Sequence, residues 1–231
     1  MTERPILFSA PMVRAYRREV DPKMQTRRTS GLKKINAEPD AWEYCYAGGV
    51  DSAWHTFTKM HVSGTDDVLK IRCPYGVAGD RLWTREGMIR PDGDPWLYTA
   101  DNEPVMVDPA DETGMIVWAH HKQQDYCPSM FMPRWASRDT LEVISARPER
   151  LHDITEADAK SEGVEILEMS QSDIDDIQIS DSSPDEKKFW KAMGPGSSSH
   201  RWEYEMLWGE INGPGSWAKN PWVWRVEFRR L

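Results

Sequence analysis

The sequence predicts a single α+β domain in which short β-strands outnumber the helices. The clearest strand is 222–228, where Trp, Val and Phe alternate with Val, Arg and Glu. Near the other end, the apolar run 5–8 precedes Ser9 and Pro11, which are typical of a helix start. With 231 residues and 12 tryptophans, the chain can bury a substantial core, although some tryptophans could instead stack on bases.

The first helix is predicted to end at 21–22, because Asp is followed there by a helix-breaking Pro. Two further strands are expected at 81–86, after a tight turn at 79–80, and at 140–144. The apolar face of the first helix is predicted to consist of Met12, Val13, Tyr16 and Val20.

A second helix is predicted from the capping signature of Thr155 and Asp158, with Gly163 ending it. Glu162 then falls at the helix C-terminus, where a carboxylate gains nothing from the helix dipole. Such a carboxylate is either solvated or used in function. The stripe of a third helix, predicted as core, consists of Tyr204, Leu207, Trp208 and Ile211.

Three segments are predicted to be insertions into one domain that spans residues 1–231. Residues 35–70 show no sustained periodicity and predict a long loop or a decorating hairpin. Residues 88–128 contain a predicted short strand at 115–118, and 165–200 are largely acidic and Ser-rich, which is typical of a mobile loop.

Charge and composition restrict the partners of the chain. A net charge of −9 argues against broad coating of nucleic acid. Residues 1–34, however, carry an excess of six positive charges, which leaves a focused anion site possible. No run approaches the roughly 20 apolar residues of a membrane span, and the isolated Cys45, Cys73 and Cys127 fit a reducing, cytoplasmic compartment.

The histidines are interpreted as ordinary surface or packing residues. His55 and His61 lack the spacing of a helical zinc pair, and adjacent His120 and His121 point in different directions. We therefore expect no metal and no cofactor.

The densest chemistry lies in residues 23–28, which read Lys-Met-Gln-Thr-Arg-Arg. The Thr26 hydroxyl is a poor nucleophile unless a base accepts its proton, and a desolvated, neutral Lys23 can act as that base. For Lys23 to accept the proton of Thr26, the chain must contain a turn or bulge here, since these two side chains would point to opposite faces of a regular strand. The alternative is a solvated basic turn.

A second candidate segment, 132–138, places Arg134 and Arg138 on either side of Trp135, which suits a nucleotide or nucleoside. The alternative is a tryptophan packed under a loop. Trp217 lies in a turn-dense stretch and could edge a pocket.

Four motifs occur in order along the chain: K-x-x-T-x-R, G-D-x-L-x-x-x-E, I-T-E-x-D-A-x-x-E-G and W-V-W-x-V-E-F. This order resembles the ASCH domain, and segments 73–86, 132–138 and 212–228 are similar to its phage- and prophage-encoded branch. The resemblance implies a PUA-like mixed β-barrel with flanking helices and, if the chain is phage-encoded, the cytoplasm of a bacterial host.

The resemblance also implies an activity, because similar small ASCH proteins include metal-independent amidohydrolases acting on N(4)-acetylcytidine. Their functional positions fall on Lys23, Thr26 and Glu162. Lys23 would activate Thr26, Thr26 would attack the amide carbonyl, and Glu162 would assist proton transfer to the leaving amine.

Two other functions remain open at this point. One is a non-catalytic module that binds RNA, DNA or a modified base through Arg27, Arg28, Arg134, Trp135 and Arg138. The other is an accessory protein whose insertions bind a host protein. The amidohydrolases that the chain resembles usually have Gly-Arg before the lysine, where this chain has Asp21 and Pro22, and they are far shorter than 231 residues.

Overall fold

A computed structural model shows an α+β fold. It describes residues 2–47, 52–59, 67–91, 95–106, 125–166, 168–169, 172, 175 and 196–231. The strands are β1 (Glu3–Leu7), β2 (Gln25–Arg28), β3 (Glu43–Ala47), β4 (Trp54–Lys59), β5 (Asp67–Arg72), β6 (Arg81–Arg85), β7 (Met88–Ile89), β8 (Leu97–Tyr98), β9 (Tyr126–Cys127), β10 (Thr140–Arg150), β11 (Glu168–Met169), β12 (Gly196–Ser197) and β13 (Trp222–Arg230). The α-helices with described bounds are α1 (Ala10–Arg17), α2 (Glu156–Ser161) and α3 (His200–Asn212), and short 3-10 helices occur at Ile35–Ala37, Pro39–Ala41, Ser129–Phe131, Arg134–Ala136 and Leu151–Asp153.

Five strands form the central sheet, in the order β1-β6-β10-β13-β2. Only the β1 and β6 pair is parallel, so the sheet is mixed. In the described part of the chain β1 and β2 are edge strands that do not pair, and the hydrogen bonding closes no barrel. A side chain spans the gap instead, since the Arg28 guanidinium on β2 donates to the Leu7 carbonyl on β1 at 2.7 Å.

The predicted alternation of the last strand is confirmed. β13 is an interior strand, and its even-numbered apolar side chains are buried in the main core. Val223 is buried on the other face, beneath α2 and α3. Large side chains on both faces therefore exclude water from this strand. Its side chains in the main core are Trp222, Trp224, Val226 and Phe228.

Helix α1 starts after Ser9 as predicted, but it ends at Arg17 instead of at the following proline. Val20 is 77% exposed, so its placement on the apolar face was wrong. The chain turns back here, with Asp21 at φ 47, and the Lys23 amide donates to the Ala15 carbonyl of α1 at 3.0 Å. The turn brings the start of β2 alongside the helix.

The described residues of the segment 35–70 include paired strands, as in the hairpin alternative. β3, β4 and β5 form an antiparallel sheet, called here the side sheet, and Phe57 and Leu69 pack it onto the main core. Strands β7, β8 and β9 form a smaller sheet beside a second core that includes Met88 and Met132.

Several sequence predictions lie outside the described residues. They are the strand at 115–118, His61, His120, His121 and most of the acidic stretch. Of the segment 165–200, the structure describes the pairing of β11 with β12.

The two later helices differ in how well their patterns predict them. Thr155 and Asp158 form the expected capping box of α2. Along α3, Tyr204 and Trp208 are buried as predicted, but Ile211 is 55% exposed, and Leu207 is only partly buried. Their assignment to the core was wrong, because this side of α3 borders a cavity. None of the described helices is long and apolar enough to cross a membrane.

Asp80 connects the N-terminal residues to the turn before β6 through hydrogen bonds. Its carboxylate accepts hydrogen bonds from Arg4 Nη1 at 2.6 Å, from the Thr2 amide at 2.7 Å and from the Val77 amide at 3.3 Å. Burial opposes ionisation, but these donors outweigh it and hold the pKa of Asp80 below its usual value.

We predict that Asp80→Asn removes an acid-dependent part of the stability. A depressed carboxyl pKa contributes stability above the unfolded pKa of about 3.9, and this contribution is lost as the pH falls through the folded pKa. Urea unfolding of both proteins from pH 7 to pH 3 should show a difference that is largest near neutrality and shrinks below about pH 4. A difference independent of pH would contradict this role.

Candidate active site

A cavity of about 160 Å³ lies where edge strand β2 meets α1, α3 and the end of α2. Polar groups from β2 and from the residue after α2 face apolar side chains from the helices. Such a mixed lining is typical of a site for a small organic ligand. Lining residues that bear on its chemistry are Thr26, Arg28, Glu162, Tyr204, Trp208 and Ile211.

Lys23 sits in the turn before β2, where the adjacent Met24 amide donates to the Ser161 carbonyl of α2 at 2.8 Å. Its side chain is buried, and Nζ donates to Glu162 Oε2 at 2.6 Å and to the Glu162 carbonyl at 2.7 Å. Desolvation lowers the pKa of Lys23, and the Glu162 carboxylate only partly offsets this effect.

Glu162 is 5% exposed, so the carboxylate at the end of α2 is not a solvated one. While Lys23 holds Oε2, Arg27 Nη1 donates to Oε1 at 3.0 Å. Arg27 is itself buried and also donates from Nε to Glu149 at 2.8 Å. Two cations from the β2 region therefore fix the Glu162 carboxylate in one orientation.

Gly163 makes this arrangement possible. It has φ +81, and a Cβ at this position would lie 2.7 Å from the Lys23 Cβ and 3.0 Å from the Ala15 Cβ. The sequence predicted a glycine here to end α2. The structure adds a second reason, because a side chain would displace Lys23.

Thr26 is central in β2, opposite Val226 of β13, and is 2% exposed. Its hydroxyl accepts a hydrogen bond from Arg28 Nε at 3.2 Å. Within the described chain Lys23 Nζ hydrogen-bonds to Glu162 and not to Thr26. Thr26 and Glu162 thus share the cavity, and Lys23 is bound to the carboxylate.

Arg134, Trp135 and Arg138 do not line this cavity. Arg138 Nε donates to the buried Glu86 at 2.8 Å, after β6, and Arg134 pairs with Glu3 of β1 at 3.2 Å. β1 and β2 are opposite ends of the central sheet order. The segments 23–28 and 132–138 thus belong to different parts of the structure, since no residue of the second segment lines the cavity. Arg134 and Arg138 both form ion pairs with carboxylates.

Two of the predicted aromatic binding residues serve packing. Trp135 is partly buried against the second core, as in the loop-packing alternative. Trp217 stacks on His152 with ring centroids 4.9 Å apart and packs against Tyr204 at 6.3 Å. Neither belongs to the cavity lining.

The sequence pattern assigned Tyr204 and Trp208 to the core only, yet both line the cavity. Burial, followed by the nearby Glu162 carboxylate, raises the pKa of Tyr204 well above its usual value, so its hydroxyl stays protonated. Trp208 Nε1 is buried and hydrogen-bonds to no described residue. The residue types themselves were the sequence signal for a role in a site. A buried Tyr hydroxyl or Trp indole N–H needs a hydrogen-bond partner, which a purely apolar core does not supply.

The cavity offers hydroxyl, guanidinium, carboxylate and indole N–H groups around a partly apolar space. These groups can orient a planar ligand with both donors and acceptors on its edge. The described residues contain no group of three or more His, Cys, Asp or Glu that could hold a metal ion.

Comparisons with models of known protein families, with curated proteins and with solved structures found no match to this chain.

We predict that Glu162→Gln lowers the free energy of unfolding by about 3–5 kcal/mol, because it leaves the buried Lys23 without its charged partner. The measurement is urea unfolding at pH 7. Glu165→Gln is the control, since Glu165 is exposed and pairs with Arg18 at the surface. Its expected loss is below about 1 kcal/mol, and equal losses for the two variants would contradict a buried ionic anchor.

A second prediction isolates the steric role of Gly163. Gly213 also has a positive φ, but an added Cβ there meets nothing within 4 Å. Both Gly→Ala variants carry backbone strain, whereas only Gly163→Ala displaces Lys23. Gly163→Ala should therefore cost about 1–3 kcal/mol more than Gly213→Ala in urea unfolding. Equal costs would show that Lys23 adjusts freely.

Proposed function

We propose that this protein is a metal-independent amidohydrolase that removes an acyl group from a modified nucleobase or nucleoside such as N(4)-acetylcytidine. One observation carries the proposal: Thr26 and Glu162 line the same small cavity, and Lys23 lies 2.6 Å from Glu162. A hydroxyl and a fixed carboxylate in one cavity, with a buried amine bound to the carboxylate, are the functional groups that acyl transfer requires.

The proposed fold is an ASCH-type, PUA-like one. Support comes from the order of the four sequence motifs along the chain and from their positions at the elements they were expected to form. The open sheet order and the Arg28 bridge between β1 and β2 describe a strongly curved sheet whose edges approach each other.

In the proposed first step, Thr26 Oγ attacks the amide carbonyl carbon and forms a C–O bond. Because Lys23 bonds to Glu162 and not to Thr26, the Lys23 and Glu162 pair acts as the base, with the carboxylate facing the cavity. Arg28, which donates to Thr26 Oγ1 at 3.2 Å, is placed to stabilise the oxyanion.

In the second step, the pair returns the proton to the leaving amine as the C–N bond breaks. An acyl ester on Thr26 remains, and water then hydrolyses it to the free acid and restores the hydroxyl. The overall reaction consumes one water and produces the deacylated nucleoside and a carboxylic acid.

The size of the cavity suits the pyrimidine ring of such a substrate. Its volume of about 160 Å³ is close to the roughly 150 Å³ that holds a benzene molecule in an engineered protein cavity. The indole N–H of Trp208, which hydrogen-bonds to no described residue, and the Tyr204 hydroxyl suit the polar edge of a pyrimidine.

The test is mass-spectrometric turnover of N(4)-acetylcytidine and related acylated nucleosides. Wild type should release the deacylated nucleoside, Thr26→Ser should retain measurable turnover, and Thr26→Val should reduce it at least about 10³-fold, because it keeps the shape but removes the nucleophile. Lys23→Ala should also abolish turnover.

Thr58→Val in the side sheet is the matched control and should turn over substrate like wild type. A further expected result is an acyl adduct on the Thr26 peptide after rapid quenching. Substrate binding without product would contradict hydrolysis and indicate a modified-base binding module.

A further inference from the structure

The side sheet has one face that packs on the main core and one that is open. Strand alternation turns His55, Phe57 and Leu69 toward the core. The opposite face, called here the outer face, carries two large aromatic side chains that are about half exposed. Tyr46 is 57% exposed, and Trp54 is 50% exposed.

Strand register arranges the outer face in rows, of which two adjacent ones carry the aromatic side chains and the next carries Glu43, Thr58 and Val68. Trp54 of β4 pairs with Arg72 of β5 in the first of the two aromatic rows, and the second joins Tyr46 of β3 and Lys70 of β5 through Thr56. Each of these two rows therefore contains one aromatic ring and one cation. Residues two apart in a strand are separated by about 7 Å, which sets the spacing between the rows.

The cations of these rows are available. Lys70 and Arg72 are exposed, and neither forms an ion pair with a described residue. This differs from the segment around Arg134 and Arg138, whose guanidinium groups are held by carboxylates. A concavity of about 480 Å³ lies between the rings, with Tyr46, Ser52, Trp54, Thr56 and Lys70 in its lining.

We propose that the outer face of the side sheet is a binding site for single-stranded nucleic acid. Tyr46 and Trp54 would stack two bases, and Lys70 and Arg72 would contact the phosphates beside them. Thr56 forms the floor between the rings. The site shares no residue with the cavity at Thr26 and does not depend on catalysis there.

Charge favours this occupant over a second copy of the chain. Neither row contains a carboxylate, so a second copy would add further cations to the contact without counter-charges from these rows, and an apolar partner would bury Lys70 and Arg72 in the same way. The net charge of −9 repels nucleic acid elsewhere, so binding is confined to a short, focused site.

Fluorescence anisotropy with labelled oligouridine and oligothymidine of about ten nucleotides tests the proposal. Wild type should bind, and Trp54→Ala and Tyr46→Ala should each weaken binding about tenfold, whereas Trp54→Phe should retain it. Lys70→Ala should reduce the slope of log affinity against log salt by about 0.7. Because these polymers differ in both the sugar and the thymine methyl group, a comparison of oligouridine with oligodeoxyuridine tells whether the protein distinguishes the sugar.

Tyr126→Ala is the matched control, because Tyr126 is 48% exposed on a different sheet and should leave binding unchanged. Circular dichroism should show that all variants fold, and turnover of N(4)-acetylcytidine should not respond to Tyr46→Ala. Absence of binding at low salt, or equal losses in the control, would overturn the proposal. A concentration-dependent dimer that Trp54→Ala abolishes would also overturn it and assign the face to self-association.

Discussion

The buried contact between Lys23, Glu162 and Arg27 joins the main parts of this fold. Lys23 belongs to the turn that follows α1, Arg27 belongs to β2, and Glu162 ends α2. Charges removed from water must be paired at close range, so these three elements can approach each other in only a narrow set of arrangements. Within the sheet order that places β2 at an edge, this pairing restricts how α1 and α2 can sit beside β2.

The cavity is a consequence of the same pairing. Because Lys23 and Arg27 hold both oxygens of Glu162, the carboxylate faces the space between β2 and α3 without turning away to solvent. Helix α3 covers this space with its apolar stripe, of which Tyr204 and Trp208 are buried while Leu207 and Ile211 are not. Its periodicity is the same as that of a core stripe, so the sequence does not distinguish the two. Tyr204 and Trp208 bring polar groups to the cavity from positions that also seal it.

The side sheet adds a surface to the fold and extends its core at the same time. Its inner face extends the main core through Phe57, which contacts Trp222 with ring centroids 5.3 Å apart. Its outer face is then free to display side chains that the core does not require. Two half-exposed aromatic rings beside two exposed cations, neither of which pairs with a described residue, are the kind of side chains that a recognition surface uses.

The sequence by itself determined those features that depend on neighbours along the chain. Alternation defined β13, local capping chemistry defined α2, and the requirement for positive φ identified Gly163. Tertiary structure decided the rest, since Lys23 and Glu162 are 139 residues apart and no local pattern joins them. It also kept Arg134 out of the cavity lining, because this side chain pairs with Glu3 of β1. The physical reason is that burial and ion pairing are set by the order of strands and the packing of helices, which propensity and spacing do not encode.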